Sequence, residues 1–166
     1  MPRLVLVLAI CIAGALSYLG MERLLYASEN RARVYFYYNE HLRPIACQID
    51  GNPLDTTLRE LLRGPDAAAR AKNIQTMLPA DLQILDRRVE NGVLILTFND
   101  ALLKLSGGHQ AIDSALKQIV FTATQIKGIK AVSFRIQDFA GQTLVIGGEG
   151  YIIDRPLDRA YFKGAR

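Results

Sequence analysis

The hydrophobic pattern begins with an apolar run at the N-terminus. Leu4 to Gly20 include no charged residue, and Arg3 and Arg23 flank them. A run of ~17 apolar residues is at the lower limit of what spans a bilayer, so it is typical of a membrane anchor or of a signal-peptide core. Retention as an anchor is favoured, because no convincing small-x-small cleavage site follows the run.

Two other interpretations of this run are disfavoured. A buried helix of a soluble fold would show a polar face at helical spacing, and none is present. Lipidation at Cys11 would require a smaller residue than Ile10 before the cysteine. Orientation is not fixed by charge, because the Lys and Arg count is slightly higher after the run than before it.

The next part of the chain predicts two strands and a helix. A polar spacer over 22–32 precedes residues 34–38, whose aromatic and β-branched side chains predict a strand. Residues 42–49 can form a second strand that runs back along the first. Asn52 is a suitable N-cap and Pro53 a suitable first helical residue. Leucines then recur at helical spacing until Gly64-Pro65, which ends the helix.

The central part predicts a hairpin. Residues 66–76 are polar and rich in alanine, which indicates a loop with at most one helical turn. The strand-like runs 82–89 and 93–98 flank Asn91-Gly92. Asn-Gly is a strong hairpin signal, because both central residues of the favoured tight turn need a positive φ.

The last part predicts one helix and two strands. Apolar residues at helical spacing predict a helix over 111–126, with Gly128 as its C-terminal cap. Strands are predicted over 131–136 and 144–146, and the glycine-rich residues 147–150 then form a tight crossing before a polar tail. The predicted class is α+β, with two helices on one face of a mostly antiparallel sheet. The predicted organisation is an anchor or signal segment over 1–21, a spacer over 22–32 and a domain over 33–162.

Charge and cysteine content exclude some classes of function. The chain has 166 residues with 20 basic and 16 acidic ones, a net charge of only +4. No stripe of Lys and Arg interleaved with aromatic residues is present, so nucleic-acid binding is not expected. Cys11 and Cys47 do not suggest a disulfide framework, because Cys11 lies inside the apolar run.

No constellation of residues predicts catalysis. The histidines His41 and His109 lack metal-ligand spacing, and Ser106 close to His109 lacks a third group that would orient the base. Residues 147–150 fit neither a phosphate loop nor a dinucleotide motif. We therefore predict no catalytic, cofactor-binding or metal-binding residue, no cofactor, and a protein that is not an enzyme. Cys47 is expected in the core, whereas Tyr35 and Tyr37 could present a contact face.

Seven segments of the chain, in order, resemble the GerMN domain family of sporulation and spore germination domains. Each segment combines strand or helix residues with the turn residues beside them: Val34–Tyr37, Leu58–Pro65, Met77–Pro79, Gly92–Asn99, Gln118–Gln125, Gly128–Phe134, and Gly148–Gly150 with Ile153–Leu157. They extend over about residues 33 to 160. The family pattern marks a set of positions that maintain the fold: Gly64, Pro65, Gly92, Gly128, Gly148, Glu149 and Gly150.

The resemblance implies a fold and a role. The fold would be similar to the ring-building modules of membrane machines. The protein would be an extracytoplasmic, non-catalytic scaffolding part of a bacterial envelope complex, held at the cell membrane or secreted if the leader is cleaved. Its partner would be an envelope protein, with self-association as a further possibility. The alternative is a module that binds an envelope glycan such as peptidoglycan, or a small ligand. The chain departs from the family in lacking a clear lipidation motif and in carrying one copy of the domain.

Overall fold

The computed structural model describes residues 31–139, 141, 143–148 and 150–164. The apolar run Leu4 to Gly20 and Glu149 lie outside these residues, so the predicted anchor and that one family position are not described. Among the described helices, none is long and apolar enough to cross a membrane.

Eight strands and four α-helices follow one another in the described part of the chain. They are β1 (Arg31–Tyr38), β2 (His41–Gln48), α1 (Pro53–Arg63), α2 (Ala67–Arg70), β3 (Ile74–Gln75), β4 (Ile84–Glu90), β5 (Val93–Phe98), α3 (Gly108–Ala123), β6 (Ala131–Ile136), β7 (Leu144–Ile146), β8 (Tyr151–Ile153) and α4 (Tyr161–Gly164), with a 3₁₀ turn at Asp100–Leu102 between β5 and α3.

The strands form three small sheets, which corrects the expectation of one sheet. The orders are β2-β1-β3, β4-β5-β6 and β7-β8. The pairs β1–β3, β4–β5 and β7–β8 are antiparallel, whereas β5 and β6 are parallel. A parallel pair needs a long crossover connection, and α3 supplies it between β5 and β6. The α+β class with mostly antiparallel pairing is confirmed.

The first helix has the predicted limits. The side-chain oxygen of Asn52 accepts hydrogen bonds from the N–H groups of Leu54, at 2.9 Å, and Asp55, at 3.3 Å. These bonds satisfy two of the N–H groups that a helix start leaves without a partner. Gly64 ends the helix with a φ of 77°, and its N–H donates to the carbonyl of Glu60. Local sequence is therefore sufficient to place both ends of α1.

The hairpin between β4 and β5 is also as predicted. Asn91 and Gly92 have φ values of 50° and 82°, and Glu90 pairs with Val93 across the turn. The register shifts between Ile84 and Asp86, which is a bulge in β4. Bulges of this kind are common in edge strands, where they increase the local twist.

The second long helix is displaced from its predicted position by three residues at each end. We predicted 111–126, and α3 runs from Gly108 to Ala123. Thr124 follows the helix, and its hydroxyl donates to the carbonyl of Val120 at 2.7 Å. Gly128, with a φ of 92°, lies in the connection to β6, so it does not cap the helix as predicted.

The C-terminal part is more ordered than a polar tail. The sequence interpretation missed β8 and α4, and it placed residues 147–150 after the last strand, although they connect β7 to β8. The core includes six residues of this region: Leu144, Ile146, Tyr151, Ile153, Leu157 and Phe162. They join the apolar faces of β5 and α3, whose fully buried members are Leu94, Leu96, Phe98, Ala115, Leu116, Val120 and Ala123.

Candidate interaction surfaces

One face of α3 is polar but not exposed, because it covers an edge of β1. The side-chain oxygens of Gln125 and Thr122 accept from the N–H groups of Arg33 and Tyr35, each at 3.0 Å, and Gln125 also donates to the Arg33 carbonyl. Gln118, on the same face, accepts from the N–H of Met77 at 3.0 Å and donates to the hydroxyl of Thr76 at 3.0 Å. Thr122 of α3 and Gln125 just after it thus bond to the backbone of β1 as a neighbouring strand would, and Gln118 binds the segment that follows β3.

The tyrosine face proposed as a contact surface is closed by the fold. Tyr37 is buried, and its hydroxyl donates to the carbonyl of Ser114 at 3.2 Å. Burial raises the pKa of Tyr37. Tyr35 is half-buried and packs edge-on against Phe121, with ring centroids 5.8 Å apart. The prediction of an exposed face was wrong, because strand alternation alone does not show that a helix covers this side.

An arginine of the C-terminal segment completes this closed side. The guanidinium of Arg159 lies 4.8 Å from the ring centroid of Phe121 and 5.6 Å from that of Tyr35. Its Nε donates to the hydroxyl of Thr124 at 2.8 Å, and its Nη2 donates to the carbonyl of Phe121 at 3.0 Å. Arginine suits this position because its planar group stacks on rings while it donates at its edge. The C-terminal segment is therefore fastened to α3.

A second polar cluster fastens the same segment at the start of α3. The hydroxyl of Tyr151 donates to a carboxylate oxygen of Asp113 at 3.2 Å and lies 3.1 Å from the hydroxyl of Tyr161. Burial raises the pKa of Asp113, although the bond from Tyr151 and the nearby Lys117 oppose this shift. Burial also raises the pKa of Tyr151. The cluster is half-buried and its partners satisfy one another, so it is a structural contact.

Among the described residues, the most exposed large aliphatic side chains belong to the two-stranded sheet. Val145 and Ile152 are 55% and 58% exposed, and they lie opposite each other in the register of β7 and β8. We call this pair the ribbon face. The other side of both strands is buried through Leu144, Ile146, Tyr151 and Ile153. The ribbon face is therefore apolar and open, and buried side chains of the same strands lie behind it.

A groove between the first sheet and α1 is the candidate site for a small ligand. It has a volume of about 330 Å³, and its apolar lining includes Phe36, Ile45 and Cys47, with Glu60 and Arg63 at its border. Burial raises the pKa of the Cys47 thiol. Cys47 is half-buried and packs against the core, close to its predicted position.

The candidate catalytic residues are not assembled into a site. Ser106 and His109 are both exposed, and the imidazole of His109 lies 5.6 Å from the ring of Tyr151. His41 is exposed at the start of β2. Among the described residues, no group of three or more His, Cys, Asp and Glu side chains could hold a metal ion.

The glycine positions of the family pattern have different surroundings. Gly92 and Gly128 are brought together, because a Cβ on Gly92 would lie 3.3 Å from the Gly128 carbonyl oxygen. Gly148 is open, whereas Gly150 has a φ of 73°. Pro65 is buried after the end of α1. An approach closer than that at Gly92 is found at Gly147, outside that pattern: a Cβ there would lie 2.8 Å from the Leu105 carbonyl oxygen.

Comparison with known proteins gives a family and a fold. The model of the Germane family, described as sporulation and spore germination, matches residues 27–139. The fold is similar to the first GerMN domain of the sporulation protein GerM from Bacillus subtilis, with a TM-score of 0.61, 17% identity, and coverage of 78% of this chain and 98% of that chain.

Two further solved structures are similar. The tandem GerMN domains of the same Bacillus subtilis protein give a TM-score of 0.59 at 22% identity, covering 78% of this chain but only 44% of that chain. A predicted lipoprotein from Clostridium perfringens gives 0.53 at 19% identity, covering 78% and 87%. Among curated protein sequences, none matches this chain. At these identities the structural likeness establishes the fold alone.

Proposed function

This chain belongs to the Germane family of sporulation and spore germination domains, and from that membership we propose that it is a membrane-anchored, extracytoplasmic interaction domain that helps to assemble a bacterial envelope complex. The family resemblance expected from the seven sequence segments is thereby confirmed. The anchor in this proposal is the apolar run Leu4 to Gly20, and the domain after it is the part that contacts the partner.

The observation that carries the proposal is the ribbon face. Complete burial of an aliphatic side chain is worth about 1.5–3 kcal/mol. Val145 and Ile152 are each a little more than half exposed, so covering both would contribute about 2 kcal/mol. That is too little for a stable complex by itself, since even a millimolar dissociation constant needs about 4 kcal/mol. The pair would therefore be the apolar centre of a larger contact with a polar rim.

The non-catalytic part of the proposal is supported by the chemistry of the described residues. The buried polar side chains Gln118 and Thr122 make hydrogen bonds within the fold, and the half-buried Asp113 accepts from the buried Tyr151. An active site instead needs a nucleophile or base directed at open space, with a group that orients it. In the described part of the chain, these four polar side chains are instead engaged in holding the fold together.

Site-specific photo-crosslinking in living cells tests the interaction. A photoreactive amino acid is placed at Val145 or Ile152 of the full chain, and at Lys72 as an exposed control in the turn after α2. Adducts with one or two envelope proteins at Val145 and Ile152, absent at Lys72, are expected. Ile152→Lys should abolish the Val145 adduct. Adducts of equal yield at all three positions, or none at either ribbon position, would contradict the proposal.

The location is tested separately with the full chain. In spheroplasts, protease added from outside is expected to digest the domain while a cytoplasmic marker protein stays intact. Alkaline carbonate should leave the chain in the membrane fraction if the apolar run is retained, and should release it if the run is cleaved. A domain protected from protease until the membrane is lysed would refute the extracytoplasmic placement.

A small-ligand role is the second candidate, and the groove beside Cys47 favours it. Ligand sites are concave and largely apolar with a few polar groups, and this groove joins Phe36 and Ile45 to Glu60 and Arg63. Retention of the purified protein on peptidoglycan, lost on Ile45→Glu, would favour this function over scaffolding. No retention, together with crosslinks at the ribbon face, would favour the interaction domain.

A further inference from the structure

Among the residues that the structure describes, nothing pairs with the outer edge of β6 over most of its length. In the sheet order β4-β5-β6, one edge of β6 faces no named strand. A single bridge closes its beginning: the Val132 N–H donates to the Leu157 carbonyl at 2.9 Å, and the Leu157 N–H donates to the Val132 carbonyl at 2.8 Å. Two residues further on, an antiparallel ladder would form the next such pair, and here that pair would be Phe134 with Arg155.

That next pair is not formed. Gln137 donates its N–H to Phe98 of β5, so the alternate residues Phe134 and Ile136 direct their backbone groups away from β5. Ile136 accepts from the N–H of Phe139 at 3.3 Å, but Phe134 makes no backbone hydrogen bond on this edge within the described part of the chain. Pro156 explains the break, because its φ is fixed near −65°, far from the value of about −140° in an antiparallel strand.

The separation of the two segments leaves a cleft. Its volume is about 440 Å³, and it is lined by Ser133, Phe134 and Arg135 on one side and by residues 153–156 on the other. Phe139, 48% exposed, lies at its border. The cleft thus places an edge of β6 without a described strand partner beside the buried side chains of Phe134 and Ile153. A strand edge of this kind can accept an added strand.

The charged side chains that line the cleft carry a net positive charge. Arg135, Asp154 and Arg155 all line it and are exposed. No ion pair involves any of the three within the part of the chain that the structure describes. Arg155 lies 5.7 Å from the ring centroid of Tyr161, which holds its guanidinium in place without neutralising it. Two guanidinium groups against one carboxylate favour an acidic partner.

We propose that this cleft binds an extended, acidic peptide segment of a partner protein, which pairs with the backbone of Phe134 and adds a strand to β6. Side chains of paired strands alternate between the two faces in register. The peptide residue opposite Phe134 is therefore apolar, and the residue opposite Arg135 carries a carboxylate. The site depends on neither the ribbon face nor the membrane anchor.

Fluorescence anisotropy with the full chain in detergent micelles tests the proposal. The probe is a labelled, capped peptide Thr-Val-Glu-Val-Thr, compared with the same peptide carrying Lys in place of Glu and with one N-methylated on its central residues. We expect the Glu peptide to bind about tenfold more tightly than the Lys peptide. N-methylation should abolish binding, because it removes the donors that pair with the strand edge.

Charge reversal identifies the site on the protein. Arg135→Glu should invert the preference between the two peptides, whereas Arg43→Glu, the same charge change at an exposed position of β2, should leave it unchanged. Hydrogen exchange at the Phe134 amide should slow when the Glu peptide is added. Each variant's fold is checked by its circular dichroism spectrum.

Several outcomes would overturn this inference. They are equal affinity for the Glu and Lys peptides, binding that survives N-methylation, no binding at millimolar peptide, or displacement of the peptide by a chitin oligosaccharide. Protection of the Phe134 amide that rises with protein concentration alone would indicate a second copy as the occupant. Failed crosslinking at Val145 and Ile152 would not affect this assay, because it contains no envelope component.

Discussion

Gln118 offers the most direct test of how this fold is held together. Its side chain is completely buried on α3. It accepts from the Met77 N–H at 3.0 Å and donates to the Thr76 hydroxyl at 3.0 Å. Gln118→Met keeps the length of the side chain and its helix propensity but removes both hydrogen bonds. The Met77 N–H is then left without a partner in a partly buried place.

The expected cost follows from those two bonds. Leaving a buried donor unsatisfied costs about 1–3 kcal/mol, so we expect the free energy of unfolding to fall by about 2 kcal/mol. With a urea m-value of about 2 kcal/mol per molar, the unfolding midpoint should fall by about 1 M. Urea titration of the purified protein, followed by circular dichroism, measures this shift. Hydrogen exchange at the Met77 amide should also become faster.

Two further variants make the test specific. Gln110→Met changes an exposed residue of the same helix in the same way, and it should leave the midpoint almost unchanged. Gln118→Glu buries a carboxylate whose pKa should rise above the ordinary value of about 4.3. The loss in free energy of unfolding caused by Gln118→Glu should be complete above that raised pKa. It should become smaller as pH falls below that pKa, because a protonated carboxyl can both accept and donate a hydrogen bond. If Gln118→Met unfolds at the midpoint of the Gln110 control, the reasoning is refuted.

Three other predictions address different contacts. Gly147→Ala should lower the thermal midpoint by several degrees, because φ is 67° and the new Cβ would lie 2.8 Å from the Leu105 carbonyl oxygen; Gly148→Ala, with nothing within 4 Å, is the control, and an equal effect of both would contradict the steric explanation. Burial raises the pKa of Asp113, so stability should be lost as pH rises from about 3.9 through that raised pKa; Asp113→Asn should remove this loss in urea titrations at a series of pH values, and an unchanged pH profile would count against it. Arg159→Lys keeps the charge but loses the fixed donors to Thr124 and Phe121, so limited proteolysis should cut the C-terminal segment faster, by about tenfold for a loss of about 1.4 kcal/mol; a rate equal to that of the wild type would show that these bonds do not hold the segment.

Local sequence signals determined the parts of the fold that depend on neighbouring residues. Asn52 caps α1 and Gly64 ends it, as predicted, because a cap needs only a side-chain oxygen within three residues of the free N–H groups. Asn91-Gly92 forms the hairpin because the turn requires a positive φ at adjacent positions. The segments that resemble the GerMN domain also identified the family, because their turn glycines and strand residues follow one another in the family's order.

Only the tertiary structure decided which surfaces are closed and which are open. No local rule shows that Gln118 and Thr122 would accept from backbone N–H groups distant in the chain, or that Arg159 would cover Tyr35, because each contact joins residues far apart in the chain. The parallel pairing of β5 with β6 likewise depends on the crossover through α3. The ribbon face and the open edge at Phe134 also follow from the packing. Two apolar residues of one strand look the same in the sequence, and the elements that the fold places against them decide which is buried and which is exposed.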